Sequence, residues 1–162
     1  MAEHETYDKL IALLDERGAR YRLIDHEPEG RTEIVSRMRG NDLARAAKCV
    51  VVMVKVDRKT RRYVLAVVPG DARVDLDAVK RLHSGRYAGF ADQEAAERLA
   101  GSASGTILPF AFDPELELVA DPRLLDGEEV FFNAARLDRS LALATADYAA
   151  IADPRRAEIA AY

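Results

Sequence analysis

The run Cys49-Val50-Val51-Val52-Met53-Val54 constrains this chain more than any other segment. It is far shorter than the roughly 20 apolar residues of a membrane-spanning helix. Its β-branched side chains suit a strand. Because the run is continuous rather than alternating, Cys49 to Asp57 is predicted to be a strand buried on both faces. Arg58-Lys59-Thr60-Arg61 is a polar turn, and Arg62 to Val68 returns as a second apolar strand. An antiparallel hairpin is the expected unit.

Helices and further strands surround it. Tyr7, Leu10, Ile11 and Leu14 recur at helical spacing, and Gly18 stops that helix. Tyr21 to Asp25 is a strand candidate, and the turn Asp25-His26-Glu27-Pro28-Glu29-Gly30 breaks it. Thr32 is placed to cap a helix through Ile34, Val35 and Met38 to Gly40, and Asn41 to cap another carrying Leu43, Ala44 and Ala47. Pro69-Gly70-Asp71 ends the hairpin. Asp75 heads a helix with Leu76, Val79, Lys80 and Leu82, and Asp92 heads one from Ala96 to Leu99 that Gly101 stops. Tyr87–Phe90, Thr106–Phe112, Glu117–Ala120, Val130–Ala134 and Leu141–Ala144 read as strands. Thr145 caps a last helix to Ile151, and the alanine-rich tail beyond Pro154 is expected to be helical or frayed. Helices and strands do not alternate regularly. An α+β fold with a mixed or antiparallel sheet is therefore expected, as one domain over 1–162.

Several chemistries drop out early. One cysteine, Cys49, excludes an internal disulfide and a cysteine-only zinc site. His4, His26 and His83 lie far apart, without metal-binding spacing, so no metal and no cofactor is expected. No dinucleotide fingerprint, phosphate-binding P-loop or nucleophile elbow is present. The acidic start, Met1 to Glu5, has no apolar leader core, and a cytoplasmic protein without membrane contact is expected. The net charge of −4 speaks against indiscriminate nucleic-acid binding, DNA included. The charge is nevertheless polarised. Thirteen lysines and arginines between Arg17 and Arg62 stand against six carboxylates, whereas Asp113 to Glu129 is almost wholly acidic. Such a chain can draw a polyanion to one face, or simply carry two solvated surfaces.

Three local features bear on chemistry. Lys48 stands where an alanine-rich segment meets the valine strand. It is either a solubilising flank or a cation placed in a corner to hold a phosphate or polarise a carbonyl. Gly101-Ser102-Ala103-Ser104-Gly105-Thr106 is either a helix stop and tight turn or a loop whose N–H groups face a ligand oxygen. His26, with Thr32 and Glu33 after it, is either a loop residue or a weak general base.

In their order, these features resemble the YbaK / prolyl-tRNA-synthetase-associated editing domains, from about Tyr7 to Ile151. The resemblance rests on Asp25-His26-Glu27-Pro28, on Lys48 ahead of its strand, and on Val67 to Leu76 with its Pro69-Gly70-Asp71 turn. It rests also on Gly101, Gly105, Pro109 and Phe110, and on Phe131 to Arg136. It implies a mixed, strongly curved, partly barrel-like sheet wrapped by helices. Lys48 falls on the family's active-site lysine, and Gly101, Gly105 and Pro109 on its substrate loop. Relatives often carry glycine where Thr106 stands, serine at Leu108, glycine at Ala111 and a small residue at Asn133.

The implied activity is hydrolysis, in trans, of the ester of a mischarged tRNA carrying a small amino acid: Ser, Thr, Ala or Cys. Lys48, Gly101 and Gly105 would carry the chemistry, with the loop N–H groups on the oxyanion and Lys48 on the terminal adenosine. His26, Thr32, Thr106, Leu108, Pro109 and Asn133 would contact substrate, and the polar members tilt the expectation toward serine or threonine. Arg31, Arg37, Arg39 and Arg45 flank Lys48 and are the candidate tRNA phosphate contacts. The expected partner is the aminoacyl-tRNA acceptor end, with a synthetase as a further candidate. Two other classes fit the same residues: a non-catalytic tRNA- or synthetase-binding module, and a protein binding a small nucleotide or aminoacyl ligand.

Overall fold

The computed structural model describes residues 4–162. In chain order its elements are α1 (Glu5–Glu16), β1 (Tyr21–Asp25), α2 (Thr32–Arg39), β2 (Ala47–Lys55), β3 (Arg61–Pro69), β4 (Arg73–Val74), α3 (Leu76–Leu82), β5 (Tyr87–Phe90), α4 (Gln93–Ala100), β6 (Leu116–Ala120), β7 (Glu129–Asn133), β8 (Arg139–Ala144), α5 (Thr145–Ala152), β9 (Arg155–Arg156) and β10 (Ala160–Ala161). The fold is α+β with a mixed central sheet. Its strand order is β5-β2-β3-β6-β9, antiparallel among β5, β2 and β3 and parallel from β3 through β6 to β9. An antiparallel sheet β1-β8-β7 lies beside it, and β10 pairs with β4. A single parallel bridge, Ala46 to Phe131, links the first two sheets. Strand pairing among the described residues does not close a ring.

The valine hairpin is the partition of the molecule. Odd-numbered side chains Val51, Leu65 and Val67 enter one core with Leu10, Leu14, Phe110, Phe132 and Leu141. Even-numbered Val52, Val54, Val64, Ala66 and Val68 enter a second core with Val79, Val119 and Ile159. Side chains alternate across a strand, so an unbroken apolar run is what two cores on opposite faces require. Each fully buried valine or leucine contributes about 1.5–3 kcal/mol.

Several local expectations change. Thr106–Phe112 is an unpaired loop: Gly105 enters it at φ 89°, Thr106 Oγ1 folds back on the Ala103 carbonyl, and Pro109 has no N–H to give a ladder. Its apolar residues act as anchors instead. Phe110 packs edge-on against Phe132 (6.2 Å) and Tyr148 (5.3 Å). The segment after Asn41 makes only a 3-10 turn, Leu43–Arg45, because pairing with β3 already holds Ala47 extended opposite Pro69. Thr32 and Thr145 begin α2 and α5 rather than capping them, Arg31 and Ala144 standing at the cap positions, and the buried Thr145 hydroxyl has no partner among the described residues. The tail is neither helical nor frayed. β9 extends β6, and β10 joins β4. The wholly buried Asp121 carboxylate accepts the N–H groups of Ile159 (3.0 Å) and Ala160 (2.9 Å) while pairing with Arg123 at 2.8 Å. Burial pushes the Asp121 carboxyl up, but the hydrogen bonds from Arg123 and Ala160 outweigh it and leave its pKa below the ordinary value.

Candidate active site

Lys48 lies opposite Val68 in the β2–β3 ladder, just before β2 enters the two cores. Its ammonium donates to the Ala72 carbonyl at 2.8 Å. That single bond leaves two of its three protons for other partners. Beside it opens a cleft of about 210 Å³, with Val35, Ile107 and Phe132 as apolar wall and Thr32, Arg39, Gly105 and Asn133 as polar groups. Cys49 also lines it, but burial pushes its thiol pKa far up, which keeps it in the unreactive protonated form.

Gly105 reaches this cleft at the end of its loop. A side chain there would meet Gly30 Cα at 3.0 Å, and one on Gly30 would meet Gly105 Cα at 3.2 Å. Two backbones thus touch at the rim, which only glycine on both permits. Asn133 locks the contact: its Nδ2 donates to the carbonyls of Glu29 (2.8 Å) and Gly105 (2.9 Å). Its Oδ1 accepts the fully buried Ser140 hydroxyl at 2.9 Å. The same Ser140 oxygen contacts His26 Nε2 at 2.6 Å and accepts from Arg39 at 3.1 Å. His26 Nδ1 faces the Glu27 carbonyl at 2.8 Å. Both ring nitrogens are therefore engaged, and His26 serves the scaffold of the cleft rather than standing free as a base.

Arg39 is the most unusual charge in the site. Its guanidinium donates to Asn41 Oδ1 (2.9 Å), Ser140 Oγ (3.1 Å) and Ser36 Oγ (3.2 Å), all neutral acceptors. No carboxylate pairs with it among the described residues. Burial lowers its pKa to about 10, so it remains a cation. None of the cleft's lining residues is acidic. Two cations, one held by neutral groups, thus face a cavity without counter-charge, an arrangement suited to an anionic ligand.

The other sequence-derived candidates divide. Thr32, Lys48, Gly105 and Asn133 gather at the cleft with Arg39. Gly101 does not. It ends α4 at φ 72° and, with Thr106, lines a separate hollow of about 350 Å³ on the far side of the loop. Leu108 and Pro109 are buried beneath the loop, with Leu108 in the first core. Arg31 is held by Glu29 through two hydrogen bonds of 2.8 and 3.0 Å, and those bonds hold the Glu29 carboxyl at about 2. Arg45 is half-buried, donates to the Arg123 carbonyl at 3.2 Å and packs on Gly127. Arg37 and Glu33 are exposed. Sequence reasoning passed over Gly30 and Ser140. A glycine after Glu29 signals only a break in the chain, and a serine inside a strand carries no local signal. Among the described residues, no three His, Cys, Asp or Glu side chains gather as a metal site.

Residues 26–151, which include the central hairpin and the cleft at its head, match the model of the aminoacyl-tRNA editing domain. The chain belongs to the aminoacyl-tRNA editing domain family. It is 41% identical over 150 residues to the multifunctional Ser/Thr-tRNA deacylase ProXp-y of Escherichia coli strain K12, covering 92% of this chain and 89% of that one. The same identity and coverage hold for the protein of that name from Escherichia coli O157:H7. Among solved structures, hypothetical protein APE2540 superposes with a TM-score of 0.83 at 21% identity, over 94% of this chain and 99% of the other. A candidate trans-editing enzyme for prolyl tRNA synthetase superposes with a TM-score of 0.79 at 21% identity, over 97% and 98%. These two structures share the fold.

Proposed function

We propose that this protein is an aminoacyl-tRNA deacylase that cleaves, in trans, the ester joining a small amino acid to the 3′ end of a mischarged tRNA, with serine and threonine foremost. The observation that carries this reading is the meeting of Lys48, Arg39 and the Gly105 loop in one cleft without a lining carboxylate. Kinship with an Escherichia coli Ser/Thr-tRNA deacylase points the same way.

The chemistry asks little of the protein, because an aminoacyl ester is already activated. Water attacks the carbonyl carbon, a tetrahedral oxyanion forms, and the ribose oxygen leaves with a proton. Lys48 fixes the terminal adenosine by its phosphate or hydroxyl, and Arg39 adds a second positive charge. Backbone N–H groups of Gly105 and Ile107, which line the cleft, are the candidate oxyanion donors, since that of Thr106 is spent on the Ala103 carbonyl. No side chain in the cleft is a free general base, so positioning and charge supply the rate, with the neighbouring ribose hydroxyl aiding the water. Gly101 and Thr106 act at one remove, by shaping the loop. The apolar wall of Val35, Ile107 and Phe132 limits the amino acid's size, and Thr32 offers a partner to a hydroxyl, whereas Asn133 has both amide protons committed and keeps only a second Oδ1 lone pair. We place the work in the cytoplasm, with an aminoacyl-tRNA synthetase as the partner that supplies the mischarged tRNA. We also infer that the two larger sheets act as one curved, partly open barrel, which the Ala46–Phe131 bridge supports.

A deacylation panel tests the reading. Purified protein is offered tRNAs charged with Ala, Ser, Thr and Cys, beside Lys48→Ala. Hydrolysis of Ser- or Thr-tRNA that falls by about 100-fold or more in the variant is expected, on the scale of losing one preorganised charge. Binding of tRNA without hydrolysis of any member would make the protein a carrier instead.

A further inference from the structure

An ester at the end of a polynucleotide leaves a question that the cleft does not answer. At about 210 Å³ it is smaller than the roughly 300–1,000 Å³ pockets that enclose a whole drug-sized ligand. It has room for the aminoacyl group and the ester, not for the nucleotides that precede them. Those nucleotides must leave across the rim.

Lys48 is also a wall of a second, larger groove of about 690 Å³. Its floor is Val50, Leu76 and Ala88, and its walls carry Arg73 and Phe90. Even-numbered residues of β2 share the face that Val52 and Val54 bury in the second core. Phe90 stands opposite Val52 on β5, and cross-strand partners share a face. Phe90 therefore continues the face of Lys48 and Val50, about 13 Å along the strand. It remains 62% exposed, at the edge of the sheet. The groove's two carboxylates are already engaged: Asp75 caps α3 through the Ala78 N–H at 3.0 Å, and Asp77 lies 3.8 Å from Lys80. Both carboxylates keep their charge, so the groove sets two anions against two cations, but among the described residues neither Arg73 nor Lys48 is in an ion pair, which leaves both open to a phosphate.

We propose that this groove is the subsite for the unpaired 3′-terminal nucleotides of tRNA, with the base next to the terminal adenosine stacked on Phe90 and its phosphate against Arg73. An exposed aromatic ring beside cations is how proteins hold unpaired nucleic acid without reading its sequence. A small apolar partner would have no use for Arg73, and a duplex stem would not present a base to Phe90. The assignment rests on the deacylase reading above. It adds the direction in which the chain departs, over β2 toward β5 rather than toward Arg31 and Arg37.

Two measurements on the full chain separate this proposal from that reading. The first compares hydrolysis of Ser-tRNA with that of seryl-adenosine, which lacks the preceding nucleotides. Phe90→Ala is expected to raise KM for Ser-tRNA about tenfold, the scale of one lost stack. The same variant should leave kcat and the hydrolysis of seryl-adenosine within twofold, and Phe90→Trp should restore KM. The second measures binding of an uncharged tRNA 3′-end oligonucleotide with 2-aminopurine next to its terminal adenosine. Wild-type protein should quench the probe and Phe90→Ala should not. Equal quenching and equal KM in wild type and Phe90→Ala would overturn the subsite. So would equal losses on both substrates, or a self-association of the chain that Phe90→Ala abolishes. If the wild type hydrolyses neither substrate the deacylase reading falls, and the binding arm still decides the groove.

Discussion

Asn133 Nδ2 donates to the Gly105 carbonyl at 2.9 Å, joining the end of β7 to a loop 28 residues earlier. Its second bond, to the Glu29 carbonyl, clamps the other half of the glycine contact. One buried amide thus sets the separation between the two backbones that form the cleft's rim.

Asn133→Ala removes both donors and leaves Ser140 without its acceptor. At about 1 kcal/mol per net hydrogen bond, the cost is roughly 2–3 kcal/mol, or about 5–10 °C in Tm for a chain of this size. Assayed well below that Tm, kcat on Ser-tRNA should fall about 10- to 100-fold, because the rim loses its register. Thermal melts paired with single-turnover deacylation give both numbers. Full activity in a destabilised variant would show that the clamp serves folding alone.

Arg39 and Arg31 predict opposite outcomes although both flank the cleft in sequence. Arg39 has only neutral partners, whereas Arg31 is neutralised by Glu29. Arg39→Met should weaken tRNA binding and lower the slope of log affinity against log salt by about one. Its melting temperature should fall by several degrees, because the donors to Asn41, Ser140 and Ser36 are lost, so binding is compared well below it. Arg31→Ala should leave the slope unchanged. A KCl titration of binding for the three proteins reads the comparison.

Gly105→Ala should cost more than Gly18→Ala. Both positions have positive φ, 89° and 64°, but a methyl group at Gly18 meets open space while one at Gly105 meets Gly30 Cα at 3.0 Å. The left-handed backbone alone costs about 1–2 kcal/mol. Gly105→Ala should exceed that by at least another 1 kcal/mol, on the scale of overpacking, and should also lose activity. Urea denaturation of the two variants measures the difference.

Asp121 governs the acid limb of stability. Its folded pKa lies below the ordinary carboxylate value of about 3.9, so its contribution is fully present above pH 3.9. It is lost as pH falls from there through the folded value. Asp121→Asn should lower stability at pH 7 and flatten the decline below pH 4. Melts from pH 7 to pH 2.5 test this, and parallel curves for the two proteins would remove the assignment.

The hairpin was legible because two-sided burial writes itself as an unbroken apolar run, and Asp75 and Asp92 were legible as caps because capping is local. Both aspartates do accept the predicted N–H groups, from Ala78 and Ala95. Thr106–Phe112 misled because Leu108 and Phe110 are buried by packing alone, with no ladder, and pattern does not distinguish the two. Lys48 could be singled out by its place where an alanine-rich segment meets the valine strand and by family resemblance, although a 3-10 turn rather than a helix precedes it. Arg39 was named only as one arginine among four. What sets it apart is the absence of a counter-ion, and that depends on Ser140, 101 residues away. Gly30 and Gly105 were both visible as loop glycines, but their mutual contact is a tertiary fact that neither loop encodes alone.

The two-core partition made by the β2–β3 hairpin has an evolutionary consequence. Ile107 and Phe132, which line the cleft, rest on the first core, whereas Val74, Leu76 and Ala88, which line the groove, rest on the second. Substitutions can accumulate on one side of the hairpin without repacking the other. On the proposed assignments, a lineage could retune which amino acid fits while its grip on the common end of every tRNA stays the same, and Lys48, at the seam, would be the residue least free to drift.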